Sequence, residues 1–456
     1  MLKINWILLH VLPIFGFFLA ISLLVHQSRA QRSPASTLAW LLAIVLAPYI
    51  GVPAYMIFGG RKIKHMTKNK ANLDIDVKDS AKGPQTQGVG SIFPLRSGND
   101  ITLFTSGEKA YVALLDLIDT ATKSIDVSTF ILGNDETGAA ILAALTRKAK
   151  QGVRVRLLLD ALGSFRVSKK MLAPLLAQGG ANAFFMPMMH LPFRGRANLR
   201  NHRKIVIIDN TTAMLGGMNL ASEYMGTTAD TRRWQDISLI VKGPAIADLH
   251  HVFCSDWQFS AKQDTAKEDI PVFSSGQSAV TMELVPSGPD VMGDPLYESI
   301  VTAFFKAKQR VWIVTPYFIP DEMMLKAICI AARRGIDIRI VIPRVSNHKI
   351  ADIVRRSYLR QIQESGAVVY NFTPGMMHGK VILVDSTLGI VGSMNMDIRS
   401  FFLNYEISLF IYDKIVVQNL ESWVFDLMNK SVKGIKKSNA FVGFIEGIAR
   451  LLAPLL

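Results

Sequence analysis

The sequence predicts an α/β protein in which two related α/β repeats form one pseudo-symmetric body, preceded by two transmembrane helices. Three observations lead to this fold class. Two uncharged apolar runs stand near the start of the chain, a strand–helix–strand pattern occurs twice in the remainder, and one set of polar residues recurs at a constant spacing. Two copies of one unit can pack around a pseudo-two-fold axis, so we expect a shared site on that axis.

The composition excludes a disordered chain and disfavours an ordinary soluble protein. Half of the 456 residues are hydrophobic and the mean hydropathy is +0.26, whereas disordered chains are poor in apolar residues. The formal net charge of +15 indicates an anionic partner, which is either nucleic acid or an acidic lipid surface. The chain has only two cysteines, which excludes a disulfide framework and a cysteine-based zinc site.

Residues 1–60 are predicted to form two transmembrane helices. The apolar runs cover residues 6–25 and 38–58, and about 20 residues of helix match the ~30 Å hydrocarbon core of a bilayer. A cleaved signal peptide is disfavoured because the first run is too long and a second run follows at once. Buried core helices are disfavoured because neither run has a polar face.

Basic residues predict the orientation of these helices. Residues 61–100 are interpreted as a basic flank and a polar linker, and the flank contains five basic residues against two in the short joint between the runs. The five are Arg61, Lys62, Lys64, Lys68 and Lys70. Since Lys and Arg accumulate on the cytoplasmic side, the part of the chain after the second run is predicted to be cytoplasmic.

The remainder of the chain contains the same α/β unit twice. Residues 124–130, 139–150 and 153–159 read as strand, helix and strand, and the pattern returns at 311–315, 323–334 and 336–342. Gly152 and Gly335 follow the two helices at equivalent positions, as expected for glycines that end a helix.

We place the first repeat at residues 101–270 and the second at 271–437. Residues 438–456 have apolar side chains on one helical stripe and predict an amphipathic C-terminal helix. The same stripe is compatible with ordinary packing on the domain.

One polar constellation closes each repeat. His202, Lys204, Asp209 and Asn219 recur 176 residues later, and four polar positions at one offset do not arise by chance. The second set is His378, Lys380, Asp385 and Asn395.

The spacing within the constellation has a physical reason. His and Lys two residues apart on an extended chain point to the same face. Lys and Asn suit phosphate oxygens, and His suits proton or phosphoryl transfer. The two sets therefore predict one phosphate-handling site that contains two His, two Lys and two Asn.

These motifs, H-x-K-x4-D followed by G-(G/S)-x-N, resemble those of the phospholipase D superfamily over about residues 101–437. Within it the chain is most similar to the bacterial cardiolipin synthases. The residues that carry this similarity are the tandem apolar runs and the segments at 200–204, 286–290, 315–320 and 449–456. The resemblance implies that the two repeats form one catalytic body.

The resemblance implies a two-step mechanism through a phosphohistidine. His202 is expected to be the nucleophile and His378 the general acid and base. Lys204, Lys380, Asn219 and Asn395 are expected to hold the phosphoryl oxygens, without a metal or another cofactor.

The resemblance also implies an orienting carboxylate for each histidine. Asp236 and Glu406 match the family's positions, and each one precedes an Ile-Ser-Leu sequence. Asp209 and Asp385 belong to the catalytic motif, but we expect them to brace the fold rather than to touch substrate.

The activity that the resemblance implies is a reversible phosphatidyl transfer from one phosphatidylglycerol to another, which gives cardiolipin and glycerol. The expected partners are these lipids and the bilayer, the expected place is the bacterial inner membrane, and no nucleic acid is expected. The alternatives are a phospholipase D-type hydrolase, a phosphodiesterase nuclease and a scaffold that has lost catalysis. Homo-oligomerisation is left open.

Overall fold

The computed structural model describes residues 34–47, 92–186, 199–263 and 280–436. It also describes single residues at positions 51, 70, 73, 438, 439, 443, 446, 447 and 450. The first apolar run therefore lies outside the described residues, as do about half of the second run and most of the flank and of the tail. Helix α1 (Pro34–Leu46) contains the start of the second run, and none of the described helices has the length and apolar content that a membrane span requires.

In its described part, the first repeat contains seven strands and four helices. The strands are β1 (Arg96–Phe104), β2 (Ser124–Thr129), β3 (Arg154–Asp160), β4 (Ala181–Phe185), β5 (Ile205–Ile208), β6 (Thr212–Gly216) and β7 (Ser238–Lys242). The helices are α2 (Gly107–Thr120), α3 (Glu136–Lys150), α4 (Lys169–Ala177) and α5 (Ile246–Ala261). Strand β1 begins inside the segment that the sequence assigned to the linker.

Within its described residues, the second repeat follows the same order of elements with four short additions, three strands and one helix. Its strands are β8 (Val280–Ser287), β9 (Arg310–Val314), β10 (Phe318–Ile319), β11 (Asp337–Pro343), β12 (Val368–Phe372), β13 (Val381–Val384), β14 (Leu388–Gly392), β15 (Met396–Asp397), β16 (Glu406–Ile411) and β17 (Ser431–Lys433). Its helices are α6 (Pro295–Lys306), α7 (Glu322–Arg333), α8 (Lys349–Glu364), α9 (Ile398–Phe402) and α10 (Lys414–Asn429).

Within the described residues, fifteen of these strands form one continuous sheet. The first repeat contributes the order β4–β3–β2–β5–β6–β7–β1, and the second continues as β8–β16–β14–β13–β9–β11–β12, with β17 at the edge. The two repeats join where β1 pairs antiparallel with β8. The predicted mixed α/β fold with two repeats is confirmed. A pseudo-two-fold axis at the junction relates the two halves.

Local sequence explains the helices that were predicted. Helix α3 begins three residues earlier than the apolar pattern predicted, because the side chain of Asp135 caps it by accepting a hydrogen bond from the backbone N–H of Gly138. Gly152 and Gly335 follow α3 and α7 with φ of 87° and 84°, which is the left-handed conformation that glycine adopts without strain.

Helices cover both faces of the sheet. On one face α5 and α10 pack over both repeats and form a shared core, which includes Ile205, Ile207, Val381 and Leu383. On the other face, α2–α4 cover the first repeat and α6–α8 cover the second, each over its own core. The four-residue strands β5 and β13 are buried throughout because both of their faces meet helices.

The few described residues of the C-terminal tail lie against α8. Glu446 pairs with Arg360, and Arg450 lies 4.4 Å from the ring centre of Tyr358. These contacts favour packing on the domain for this part of the tail, which was the alternative to an interfacial helix.

Candidate active site

The two histidines stand at equivalent ends of the two halves of the sheet, immediately before β5 and β13. Ile205 pairs with Ser128 at the end of β2, and Val381 pairs with Val314 at the end of β9. Within each half the parallel strands end together, β2 with β3 and β9 with β11. Backbone contacts between the repeats bring these two ends against each other, and we call the place where they meet the site edge.

Backbone hydrogen bonds between the repeats position each histidine. The N–H of His202 donates to the carbonyl of Tyr405 at 2.9 Å, and the N–H of His378 donates to the carbonyl of Gln235 at 2.7 Å. Each accepting residue directly precedes a carboxylate of the opposite repeat in the sequence. Each histidine is therefore held beside that carboxylate.

Each imidazole contacts a carboxylate from the other repeat. His202 Nδ1 lies 3.0 Å from Glu406 Oε2, and His378 Nδ1 lies 2.7 Å from Asp236 Oδ2. A carboxylate at Nδ1 orients the ring and leaves Nε2 available for chemistry. Each of these two pairs therefore takes its histidine from one repeat and its carboxylate from the other.

Glu406 is embedded in hydrogen-bond donors. Ser393 donates to Oε2 at 2.5 Å, and the side-chain amide of Asn404 donates to Oε1 at 3.2 Å. Burial alone would raise the pKa of Glu406, but the charge and hydrogen bond of His202, together with Lys204 and Ser393, hold that pKa below its usual value.

Asp236 has a different environment. Its Oδ1 accepts a hydrogen bond from the backbone N–H of Ile237 at 2.8 Å, and Gly217 stands where the second repeat has Ser393. A Cβ at Gly217 would lie 2.1 Å from Asp236 Oδ1, so this position requires glycine. Burial raises the pKa of Asp236 to about 6, against the opposing charge of Lys380.

The two lysines lie inside the same cluster. Lys204 donates to the carbonyl of His202 at 2.6 Å, and Lys380 Nζ lies 2.7 Å from Nδ1 of His378. Burial lowers the pKa of Lys204 to about 7 and that of Lys380 to about 8. Burial also lowers the pKa of both histidines, and that of His378 falls well below its ordinary value. Such a desolvated basic cluster favours an anionic ligand.

The two asparagines are buried near the ends of β6 and β14. Asn219 Oδ1 accepts a hydrogen bond from the backbone N–H of Ile131 at 3.3 Å. Asn395 Oδ1 is buried and finds no hydrogen-bond partner among the described residues. An unsatisfied buried amide oxygen is costly, and because it is an acceptor it calls for a hydrogen-bond donor rather than for a phosphate oxygen.

Asp209 and Asp385 lie at the opposite edge, away from the histidines. Asp209 accepts hydrogen bonds from the backbone N–H groups of residues 122, 123 and 124, at 2.7–2.8 Å. Asp385 receives the backbone N–H groups of residues 308, 309 and 310, at 2.8–3.2 Å. Asp209 and Asp385 thus tie the turn after β5 to the loop before β2, and the turn after β13 to the loop before β9.

Aromatic rings around the histidines were not identified from the sequence. Tyr224 and Trp234 each lie 5.1 Å from the ring of His378, and Tyr317 lies 6.5 Å from it. Phe130 lies 5.1 Å from the ring of His202. Tyr317 belongs to a segment that the resemblance singled out, whereas nothing in the pattern pointed to Tyr224 or Phe130.

A buried ionic network beside His202 was also missed. Arg203 pairs with Asp256 of α5. Lys70 Nζ lies 2.5 Å from both Asp256 and Asp290 and is 3% exposed. Lys70, which was counted above among the basic residues of the flank, is therefore buried between two internal carboxylates. Ser393 stood in the quoted motif, but its contact with Glu406 could not be inferred.

Within the described residues, no group of three or more His, Cys, Asp or Glu side chains has the arrangement of a metal site. The buried set of two histidines, two lysines and two asparagines has a composition suited to phosphoryl transfer by histidine, with lysine as a source of positive charge.

Known proteins that are similar to this chain belong to a family that fits the composition of the site. A family model described as "Cardiolipin synthase, PLD-like domain" matches residues 114–257 and 300–428, and one described as "Phospholipase_D-nuclease N-terminal" matches residues 17–60. A cardiolipin synthase of Clostridium perfringens is 33% identical over 93% of this chain and 95% of its own length. One of Halalkalibacterium halodurans is 32% identical over 93% of this chain and 90% of its own length.

Two solved structures share the fold. Phosphatidylserine synthase of Haemophilus influenzae superposes with a TM-score of 0.60 and 17% identity over 78% of this chain and 94% of that one. Polyphosphate kinase of Porphyromonas gingivalis superposes with a TM-score of 0.51 and 12% identity, over 77% of this chain and 53% of that one. At these identities the likeness concerns the fold alone. The family model and the relatives that match over nearly their whole length show the family as well as the fold. By these matches, the chain belongs to the cardiolipin synthases of the phospholipase D superfamily.

Proposed function

We propose that this protein is a phosphatidyltransferase that converts two phosphatidylglycerols into cardiolipin and glycerol, reversibly and through a phosphohistidine. The observation that carries the proposal is the pair of histidine–carboxylate contacts formed across the repeat boundary. Family membership supports lipid substrates over nucleic acid.

In the first step His202 Nε2 attacks the phosphorus of one phosphatidylglycerol. The bond from phosphorus to the headgroup glycerol oxygen breaks as the P–N bond forms. His378 gives a proton to the departing oxygen, so neutral glycerol leaves and the phosphatidyl group stays on His202.

In the second step a hydroxyl of another phosphatidylglycerol attacks the phosphohistidine. His378 takes the proton from that hydroxyl, the P–N bond breaks and cardiolipin forms. The same steps in the opposite direction consume cardiolipin and glycerol, which makes the transfer reversible.

The surroundings of the two histidines support this division of roles. Glu406, with its pKa held low, can stay ionised and stabilise the cationic phosphohistidine on His202. Asp236, whose pKa is raised to about 6, forms with His378 a pair that can hold or release one proton near neutral pH.

The four remaining polar residues are proposed to hold the phosphate. Lys204 and Lys380 supply positive charge to the equatorial oxygens, and Asn219 and Asn395 supply amide donors. A bound phosphodiester would stabilise the charged forms of both lysines, whose pKa values burial has lowered.

Membrane attachment is proposed from the apolar runs at 6–25 and 38–58, in a multi-pass arrangement in the bacterial inner membrane. The second run and part of the first fall in the segment matched by the N-terminal family model. With Lys70 removed from the count, four flank cations remain against two in the joint, which still favours a cytoplasmic catalytic body. Homo-oligomerisation stays an open alternative.

The proposal is tested by incubating the purified full-length enzyme with phosphatidylglycerol that carries a radioactive phosphate. Labelled cardiolipin with equimolar glycerol is the expected product. Release of phosphatidic acid without cardiolipin would instead identify a phospholipase D-type hydrolase.

The roles of the histidines are tested in the same assay. His378→Ala is expected to accumulate a labelled protein adduct, because the first step can occur with a slow exit of the leaving group while the second stalls. His202→Ala is expected to give no adduct and no product. An adduct in His202→Ala, with none in His378→Ala, would reverse the assignment.

A further inference from the structure

The segment from the end of β11 through the first half of α8 exposes large apolar side chains. Val345, Ile350 and Ile353 are 67%, 53% and 38% exposed. Arg344, Lys349 and Arg356 are exposed among them. Apolar side chains of this size on the water-facing side of a helix need an explanation, because α8 already buries another face.

The buried face of α8 accounts for the rest of its sequence. Its inward residues are Ala351, Val354, Arg355, Tyr358, Leu359 and Ile362. The one acidic residue of residues 344–356, Asp352, is turned toward Arg355 at 2.9 Å. The outward side of this stretch is therefore apolar and positively charged.

This outward side adjoins the catalytic cluster. The hydroxyl of Tyr317 donates to Asn347 Oδ1 at 2.6 Å, and the ring of Tyr317 packs against His348 at 5.5 Å. The same ring lies 6.5 Å from that of His378. One aromatic side chain thus separates the exposed apolar residues from the proposed acid–base histidine.

The equivalent loop of the first repeat has the same character. Between β3 and α4, Leu162 and Phe165 are 43% and 61% exposed, and Arg166 lies 5.4 Å from the ring centre of Phe165. Lys169 and Lys170 at the start of α4 are exposed as well. Since β3 and β11 both end at the site edge, both apolar and basic loops stand at the edge that holds the histidines.

We propose that Leu162, Phe165, Val345, Ile350 and Ile353 form a docking surface that inserts into an anionic lipid bilayer and seats the site edge on it. The inference rests on the proposed function, because only a membrane-embedded substrate requires the site to face lipid. Apolar side chains enter the acyl boundary, and the surrounding Arg and Lys side chains meet anionic headgroups. A membrane anchor alone would tether the catalytic body without orienting it.

The test compares two physical forms of one substrate with the full-length enzyme. One form is long-chain phosphatidylglycerol in vesicles that also contain phosphatidylcholine, and the other is short-chain phosphatidylglycerol dissolved as monomers. The variants are Val345→Asp, Ile350→Asp and their combination. The matched control is Ile415→Asp, because Ile415 is 69% exposed but follows β16 at the opposite edge.

The docking variants are expected to lose about tenfold or more in kcat/KM on vesicles, since a charge must then enter the lipid boundary. On monomeric substrate they should keep the wild-type rate, which also reports that they fold. Ile415→Asp should resemble the wild type on both. Ser substitutions at Lys349 and Arg356 should weaken the vesicle reaction most at low ionic strength.

Equal rates of the double variant and the wild type on vesicles would overturn the docking surface. Equal losses on vesicles and monomers would overturn it too, because the residues would then shape the site itself. So would an unchanged vesicle rate with altered oligomeric size, which would identify a second copy as the occupant. Failure of the proposed function is distinguishable, since the wild type would then release phosphatidic acid from both substrate forms.

Discussion

The two histidines of the site differ in the carboxylate that orients each one. Glu406 receives hydrogen bonds from Ser393 and Asn404, whereas Asp236 has glycine at the position equivalent to Ser393. A pseudo-symmetric pair must become unequal to act as nucleophile and acid. The Gly217–Ser393 difference is a physical source of that inequality, because it changes the number of donors to one carboxylate only.

Gly217→Ala tests how closely Asp236 must be positioned. The new Cβ would lie 2.1 Å from Asp236 Oδ1 and would push the carboxylate away from His378, so we expect kcat to fall by about 100-fold. Steady-state kinetics measure the change. Gly375→Ala is the control, because its Cβ would meet nothing closer than 3.9 Å, and it should keep the wild-type rate. Wild-type kcat in Gly217→Ala would contradict the proposed role of Asp236.

The pH dependence of kcat/KM follows from the same residues. Asp236, with a pKa of about 6, loses its charge as the pH falls, so activity is expected to decline below about pH 6. Lys204 and Lys380, with pKa values of about 7 and about 8, lose their charge as the pH rises, so activity is expected to decline above that range. A bell-shaped profile measured on monomeric substrate would agree, and a flat profile from pH 5 to 9 would contradict these assignments.

At the scale of the elements, the four-residue strands β5 and β13 connect the catalytic end of each repeat with its bracing aspartate. The histidine and lysine come just before each strand, and the strand leads into a turn where Asp209 or Asp385 has a φ of 51° or 53°. Each aspartate ties its turn to the loop before the neighbouring strand. Short, fully buried strands transmit this position rigidly, which explains why a distant aspartate belongs to the catalytic motif.

Asp209→Ala tests this bracing role. It should lower the free energy of unfolding by about 1–3 kcal/mol, because three backbone N–H groups at and before the start of β2 lose a charged acceptor. Urea denaturation measures this loss, and kcat at a temperature where the variant is folded should stay near the wild-type value. Abolished turnover in a folded variant would give Asp209 a direct catalytic role instead.

The pH dependence of that stability has a defined sign. Burial alone would raise the pKa of Asp209, but the backbone donors of Ser124, Thr122 and Lys123 bring it below the ordinary value. The stabilisation is therefore fully present above about pH 4 and is lost as the pH falls through the folded-state pKa. The difference between wild type and Asp209→Ala should shrink accordingly in acid.

At the scale of the whole molecule, one continuous sheet and one ionic network unite the repeats. Asp256 comes from the first repeat and Asp290 from the second, and Lys70 and Arg203 lie with them. The two positive charges balance the two negative charges, and all four side chains are buried. Through Lys70, a residue close to the predicted membrane segments is joined to the core beside His202.

Lys70→Ala would leave this network with two buried carboxylates and one cation. We expect a loss of about 3–5 kcal/mol in the free energy of unfolding, because removal of one partner uncovers a buried charge. Thermal or urea unfolding measures it. Lys430→Ala is the control, since its pair with Asp426 is half exposed and is worth about 0–1 kcal/mol. Equal stability of the two variants would contradict the network's importance.

The sequence by itself determined the α/β class, the two repeats and the inner set of His, Lys and Asn. Strand and helix periods, helix-ending glycines and the 176-residue offset are recorded locally, so they can be read without a structure. The family resemblance added Asp236 and Glu406 as partners of the histidines.

Only the tertiary structure decided which carboxylate serves which histidine. Glu406 reaches His202 over 204 residues of chain and Asp236 reaches His378 over 142, because the junction of β1 with β8 brings the opposite repeats together. The same joining of the repeats buried Lys70 between a carboxylate of the first repeat and one of the second. Local patterns cannot encode these outcomes, since each depends on sheet register and on partners that are distant along the chain.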